Sequence, residues 1–132
     1  MTLVNDLTQI GLSLKAHAQL EQLKNDGYFS EMREAYRFAI ALTLSTGQIP
    51  REIQSPRTTI FAIPTVDPDG AISIAIRALM NCDDTPPYRW AERLAEVGVE
   101  ALAAKCASGG LDIASMLSES EADGVRIGDG AT

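Results

Sequence analysis

The side chains with chemical potential are few, and they do not form a set. His17 is the only histidine, so a multi-histidine metal site is excluded and any Ser/His/Asp relay has to run through it. It lies on the expected first helix, at its surface. Cys82 and Cys106 match no CxxC metal or redox spacing, which leaves them as buried free thiols of the kind usual in a reducing cytoplasm. Pairing either thiol with His17 as nucleophile and base would rest on coincidence. Asp67 and Asp69 in "DPDG" start like a calcium loop, but the later acidic ligands and the closing bidentate Glu are missing, so the stretch reads as a turn. Glu92, Glu96 and Glu100 recur every four residues; Arg89 reaches Glu92 and Arg93 reaches Glu96, as on a solvated helix face. Tyr88 and Trp90 read as core or interface anchors. No reaction is identified, no cofactor or metal is implied, and the expectation is a non-enzymatic protein.

Composition bounds what these residues can be part of. The chain has 132 residues, 45% of them hydrophobic and 5% aromatic, which suits one domain with a core of Leu, Ile, Val, Ala and Met. Its net charge of −7 argues against a basic nucleic-acid coat. The charge is uneven: acidic and basic residues balance over residues 1–57, and residues 58–132 carry the whole excess. The acidic half either docks a basic partner or is simply solvated. No basic-plus-apolar leader is evident and no apolar run approaches the ~20 residues that span a bilayer, so the expected location is cytoplasmic, without a membrane.

The elements that must position these residues follow from periodicity. Residues 7–14, "LTQIGLSL", alternate, with Ile10, Leu12 and Leu14 on one face and Gln9, Gly11 and Ser13 on the other, the pattern of a half-buried strand. From Lys15 to Lys24 the spacing turns helical, with Ala16, Leu20 and Leu23 on one face and Gly27 as the stop. Ser30 reads as an N-cap for a helix over 31–45, closed by Gly47 and Pro50. Its apolar stripe is so wide that it is either central to a core or buried in a dimer. "TTIFAIPTV" at 58–66 reads as a second strand, residues 71–80 as a helix capped by Asp69, and residues 87–107 as a long helix with Trp90, Leu94, Val97, Ala101 and Leu102 near one another. Asp112 caps a last short helix ending near Leu117, and 118–132 reads as a disordered acidic tail. The fold class is therefore mostly α, with a short N-terminal strand and a helical C-terminal half. Three segments are expected: 1–50, 51–117 with a short strand at 58–64, and 118–132.

Strand, helix and helix within about 40 residues resembles a ribbon-helix-helix unit. In that family two chains pair their single strands, which satisfies the backbone groups of a strand with no local partner. More narrowly, "LSLKAHAQLEQLK", Gly27, "REAYRFAIALTLS", Gly47 and Pro50 are similar to the small E-type subunit of DNA phosphorothioation systems and to related bacterial defence accessory proteins. The resemblance implies a homo-oligomer associated with DNA, in an accessory or regulatory role in a bacterial operon. It implies groove contacts from Gln9 and Ser13, backbone contacts from Lys15, Lys24, Arg33 and Arg37, and a phosphate docked at the helix start near Ser30. The other reading is a subunit that binds a larger protein partner through the acidic half and makes no direct DNA contact. For the strand, two pairing partners stand open: its own copy in a second chain, or residues 58–64.

Overall fold

The computed structural model describes residues 6–54 and 56–108; the expected helix near Asp112 and the tail at 118–132 lie outside them. Among the described residues the chain is mostly helical, with one two-stranded antiparallel sheet. The elements are β1 (Gln9–Ser13), α1 (Leu14–Asn25), α2 (Met32–Thr46), β2 (Arg57–Ala62), the single turn α3 (Ile63–Val66), α4 (Ala71–Leu79) and α5 (Pro87–Ala107).

The partner of β1 is β2, in the same chain. Gln9 stands opposite Ala62 and Ser13 opposite Arg57, with a register shift between Ile10 and Gly11. Gly11 is required at that shift: a Cβ there would sit 1.8 Å from the carbonyl oxygen of Thr58. Ile10 and Leu12 are buried as the alternation predicts, but Leu14 is 58% exposed. The chain is already helical at Leu14, so period two no longer governs which way that side chain points.

Helix α1 begins where Ser13 Oγ accepts the N–H of Ala16 at 3.1 Å, an N-cap. It ends at Gly27, in the left-handed region with φ 84°, whose N–H donates to the Lys24 carbonyl while that of Tyr28 donates to Leu23, as in a glycine-terminated helix end. Helix α2 starts one residue later than expected, at Met32, with no side-chain cap. Ser30 Oγ instead donates to Glu34 Oε1. The second strand is shorter than the 58–66 pattern, because Pro64 falls in the first turn of α3, where proline is tolerated and the strand ladder cannot continue. Helix α4 is capped mainly from two residues before Asp69. Asp67 accepts from the N–H groups of Ile72 and Ser73 at 2.9 and 3.1 Å, while Asp69 takes that of Ala71.

Helix α2 is the centre of the core, with α5 as its main neighbour. The α5 face that packs inward is Ala91, Leu94, Ala95, Gly98, Val99 and Leu102, not the Trp90–Val97–Ala101 side. Trp90 and Val97 are half-buried and Ala101 is exposed. Small residues win that face because the two helices cross closely. A Cβ on Gly98 would lie 2.3 Å from the Ala39 carbonyl oxygen, and Thr43 Oγ donates across to the Leu94 carbonyl at 2.9 Å. Replacing Gly98 with Val is therefore expected to cost about 1–3 kcal/mol by overpacking, read as a lower urea midpoint. An unchanged midpoint would show that the crossing has slack.

Candidate functional site

Alternate residues of a strand turn their N–H and C=O groups to opposite edges. One edge of β1 bonds to β2; the other is occupied by side chains. The Gly11 N–H donates to Glu92 Oε2 at 2.8 Å and the Ser13 N–H to Glu96 Oε1 at 3.0 Å. The Ser13 hydroxyl donates to Glu96 Oε2 at 2.6 Å. The Gly11 carbonyl accepts from the Tyr36 hydroxyl at 2.9 Å, and that of Gln9 from Arg57 Nη2 at 3.2 Å. The match is geometric: residues two apart on a strand are about 6.6 Å apart and residues four apart on a helix about 6 Å, so Glu92 and Glu96 line up with Gly11 and Ser13. The solvated glutamate face expected here is thus corrected at two of its three positions. Glu92 is buried and Glu96 half-buried, while Glu100 is exposed.

Glu92 is also half of an ion pair. Arg57 Nε lies 2.6 Å from its Oε2 and Nη2 lies 2.5 Å from it, with side-chain exposures of 34% for Arg57 and 7% for Glu92. The hydrogen bond to Glu92 pushes the Arg57 guanidinium above its ordinary pKa. Burial, and then the Glu92 charge, push the Tyr36 phenol well above its own.

Committing both carboxylates inward leaves Arg89 and Arg93 with no ionic partner within 4 Å among the described residues. Both line a recess of about 140 Å³ with Arg57, Glu52, Leu7 and Ile53. The Arg93 guanidinium sits 5.3 Å over the Trp90 ring, a cation–π contact that leaves its edges free.

A second concavity is apolar. It is an open groove of about 550 Å³ between α2 and α4, walled by Phe29, Phe38, Leu44 and Ile72, with Glu34 and Arg37 at its side. Helix α4 is almost wholly apolar, yet only Ile76 is buried; Ile74 and Leu79 are 67% and 66% exposed. Tyr88 braces the turn that starts α4, its hydroxyl donating to Asp67 Oδ2 at 2.8 Å.

The residues expected to contact DNA are dispersed. Gln9 is exposed at the start of β1, and Lys15 and Lys24 stand near opposite ends of α1. Arg33 is bound to Glu31 at 2.6 Å, and Arg37 lies beside the groove. Ser13 is corrected outright: it is 2% exposed and its hydroxyl is used by Glu96 and by the α1 cap, so it faces no groove. Ser30 does not cap α2. Cys82 and Cys106 are free and half-buried, and burial pushes the Cys82 thiol up. His17 is half-exposed, 3.8 Å from Glu21. No group of three or more potential metal ligands converges among the described residues. Of the charged groups that do converge, Glu92, Glu96, Arg89 and Arg93 were legible only as helical charge spacing, and Arg57, on β2, only as part of the charge balance. No family model, curated protein or solved structure matches the chain in comparisons with known proteins.

Two outcomes follow from this geometry. Glu92→Ala strands the Arg57 charge and the Gly11 N–H; because Arg57 is partly solvated, the loss expected in chemical denaturation is about 1–3 kcal/mol, below the 3–5 kcal/mol of a fully buried broken pair. The double variant Arg57→Met, Glu92→Leu should recover part of it, and no recovery would mean that the strand-edge contact, not the stranded charge, dominates. In alkali, burial and the Asp67 hydrogen bond hold the Tyr88 phenol up to about 12, against an ordinary 10.0. A pKa raised on folding favours the protonated form, so this stabilisation is complete below pH 10 and is lost as pH rises from there toward 12. Tyr88→Phe should flatten the fall in stability across that window, and an unchanged slope would remove Tyr88 as its source.

Proposed function

We propose that this chain is a non-enzymatic accessory subunit whose work is assembly, and that it docks protein through the face made by α2 and α4, a second copy of itself first of all. The observation that carries the reading is α4, a nine-residue helix that buries one side chain and leaves Ile74 and Leu79 in solvent beside an open apolar groove. Apolar surface of that kind marks interaction sites, and a helix laid into a groove is a recurrent way to cover it. Two copies related by a two-fold axis would each present the same patch, which closes the assembly. Pairing through β1 is the less favourable route, because both of its edges are in use.

The bacterial accessory role implied by the phosphorothioation-type resemblance suits an assembling subunit. The DNA-associated form of that role has less support: Ser13 is buried, Lys15 and Lys24 are on opposite sides of α1, and Arg33 is paired with Glu31. A larger partner bound through the acidic second half is also less favoured than the apolar face, since Glu92 and Glu96 are spent inside the fold. No helix among the described residues is long and apolar enough to cross a membrane.

Sedimentation velocity over a concentration series tests the reading. The native chain is expected to self-associate at micromolar concentration, and Ile74→Glu with Leu79→Glu to abolish that while leaving the helical circular dichroism unchanged. A native chain that stays monomeric throughout, or a double variant that associates as before, would overturn it.

A further inference from the structure

The recess beside the strand edge has a property that neither the fold nor the assembly reading requires. Three guanidinium groups, Arg57, Arg89 and Arg93, meet two carboxylates there, Glu52 and Glu92, giving a local positive excess in a chain of net charge −7. Glu92 is consumed by Arg57 and the Gly11 N–H. Arg89 and Arg93 are one helical turn apart on α5, an arrangement of like charges that costs a helix a few tenths of a kcal/mol. The carboxylates three residues beyond each, which would ordinarily offset that cost, are turned away onto β1. Stacking on Trp90 holds the Arg93 fork in place without using its N–H donors, which is how arginine is prepared for bidentate contact with an oxyanion.

We propose that this recess is a binding site for a small phosphate-bearing anion, held between the Arg89 and Arg93 guanidiniums, with the Arg57–Glu92 ion pair as its floor. Its volume, about 140 Å³, is well below the ~300–1,000 Å³ of sites that engulf a whole cofactor or drug-sized molecule, so the recess takes the phosphate group and leaves the rest of the ligand in solvent. A small anion fits better than a nucleic-acid backbone, because the acidic remainder of the chain repels an extended polyanion. Glu52 stands in the recess as an opposing carboxylate, and it sets how tightly the anion is held.

Isothermal titration of the full chain with inorganic phosphate at low ionic strength tests this, with a short DNA duplex as a parallel titrant. Saturable single-site binding of phosphate is expected, at least about tenfold weaker in Arg89→Gln and in Arg93→Gln and tighter in Glu52→Gln. Lys105→Gln, at an exposed cation in the last turn of the same helix and outside the recess, should bind as the native chain does. Each single variant lies outside the packed α2–α5 interface, so unchanged circular dichroism is expected and separates lost binding from lost folding. The proposal is overturned if phosphate gives no saturable signal, or if both arginine variants bind with native affinity. It is also overturned if the duplex binds through these arginines while phosphate does not, which would make the recess a nucleic-acid backbone contact.

Discussion

A backbone N–H that leaves water must find an acceptor, and the rest of this structure is arranged around that constraint at β1. The strand is buried on both sides of its plane, with Ile10, Leu12 and Ser13 at or below 2% exposure, so neither of its edges can rely on solvent. A sheet of only two strands supplies one partner edge. The other has to be built from side chains, and α5 supplies its acceptors while Tyr36 of α2 donates to the Gly11 carbonyl. That requirement brings Glu92 into the interior and Arg57 with it. It also places α5 where Gly98 must pass within contact of the Ala39 carbonyl, so the close α2–α5 crossing and the strand-edge clamp are one packing solution.

The same solution redistributes charge. On an isolated helix Arg89, Glu92, Arg93 and Glu96 would neutralise one another along the surface, for a few tenths of a kcal/mol per pair. In the fold, both carboxylates trade those weak contacts for hydrogen bonds with backbone donors and a partly buried guanidinium, each worth more in a low-dielectric setting. The arginines are left behind outside. A local excess of positive charge on an acidic protein is thus a by-product of satisfying a strand.

Much of the architecture was legible in the sequence, and the reasons are physical. Gly27, Gly47 and the Ala16–Leu20–Leu23 spacing act locally, through capping and periodicity, so the boundaries of β1, α1 and α2 fall within a residue or two of expectation. Helix α4 was legible despite its alternating isoleucines because Ala, Leu and Met close it. The inward face of α5 was not legible. Hydrophobicity weights Trp90 and Val97 above Ala91, Ala95 and Gly98, whereas a close crossing selects for small side chains. Nor was the pairing of Glu92 and Glu96 with Gly11 and Ser13, contacts more than eighty residues apart in the chain. Four-residue spacing of carboxylates has the same appearance on a solvated face as on one matched to a strand. Among the DNA-contact candidates, Ser13 shows the same limit. Its alternation with Leu12 placed it outward, but β1 is buried on both faces from Ile10 to Ser13 and has no outward side there.

The two concavities differ in what they ask of a partner. The α2–α4 groove offers apolar area with little directional bonding, so affinity there scales with how much surface a partner covers. Its fit is adaptable, as suits a surface that one copy can present to another. The arginine recess offers the reverse: little area, fixed guanidinium forks and a charge that must be matched. The proposed assembly face and the proposed anion recess lie on separate elements and can be filled independently, unless the packing between them transmits strain. The α5 helix lines the recess with Arg89 and Arg93 and packs along α4 and α2, the two walls of the groove. Among the described residues, the most direct route for coupling between the two concavities is that helix and its glutamate clamp, since α5 contributes to the recess and packs against both walls of the groove.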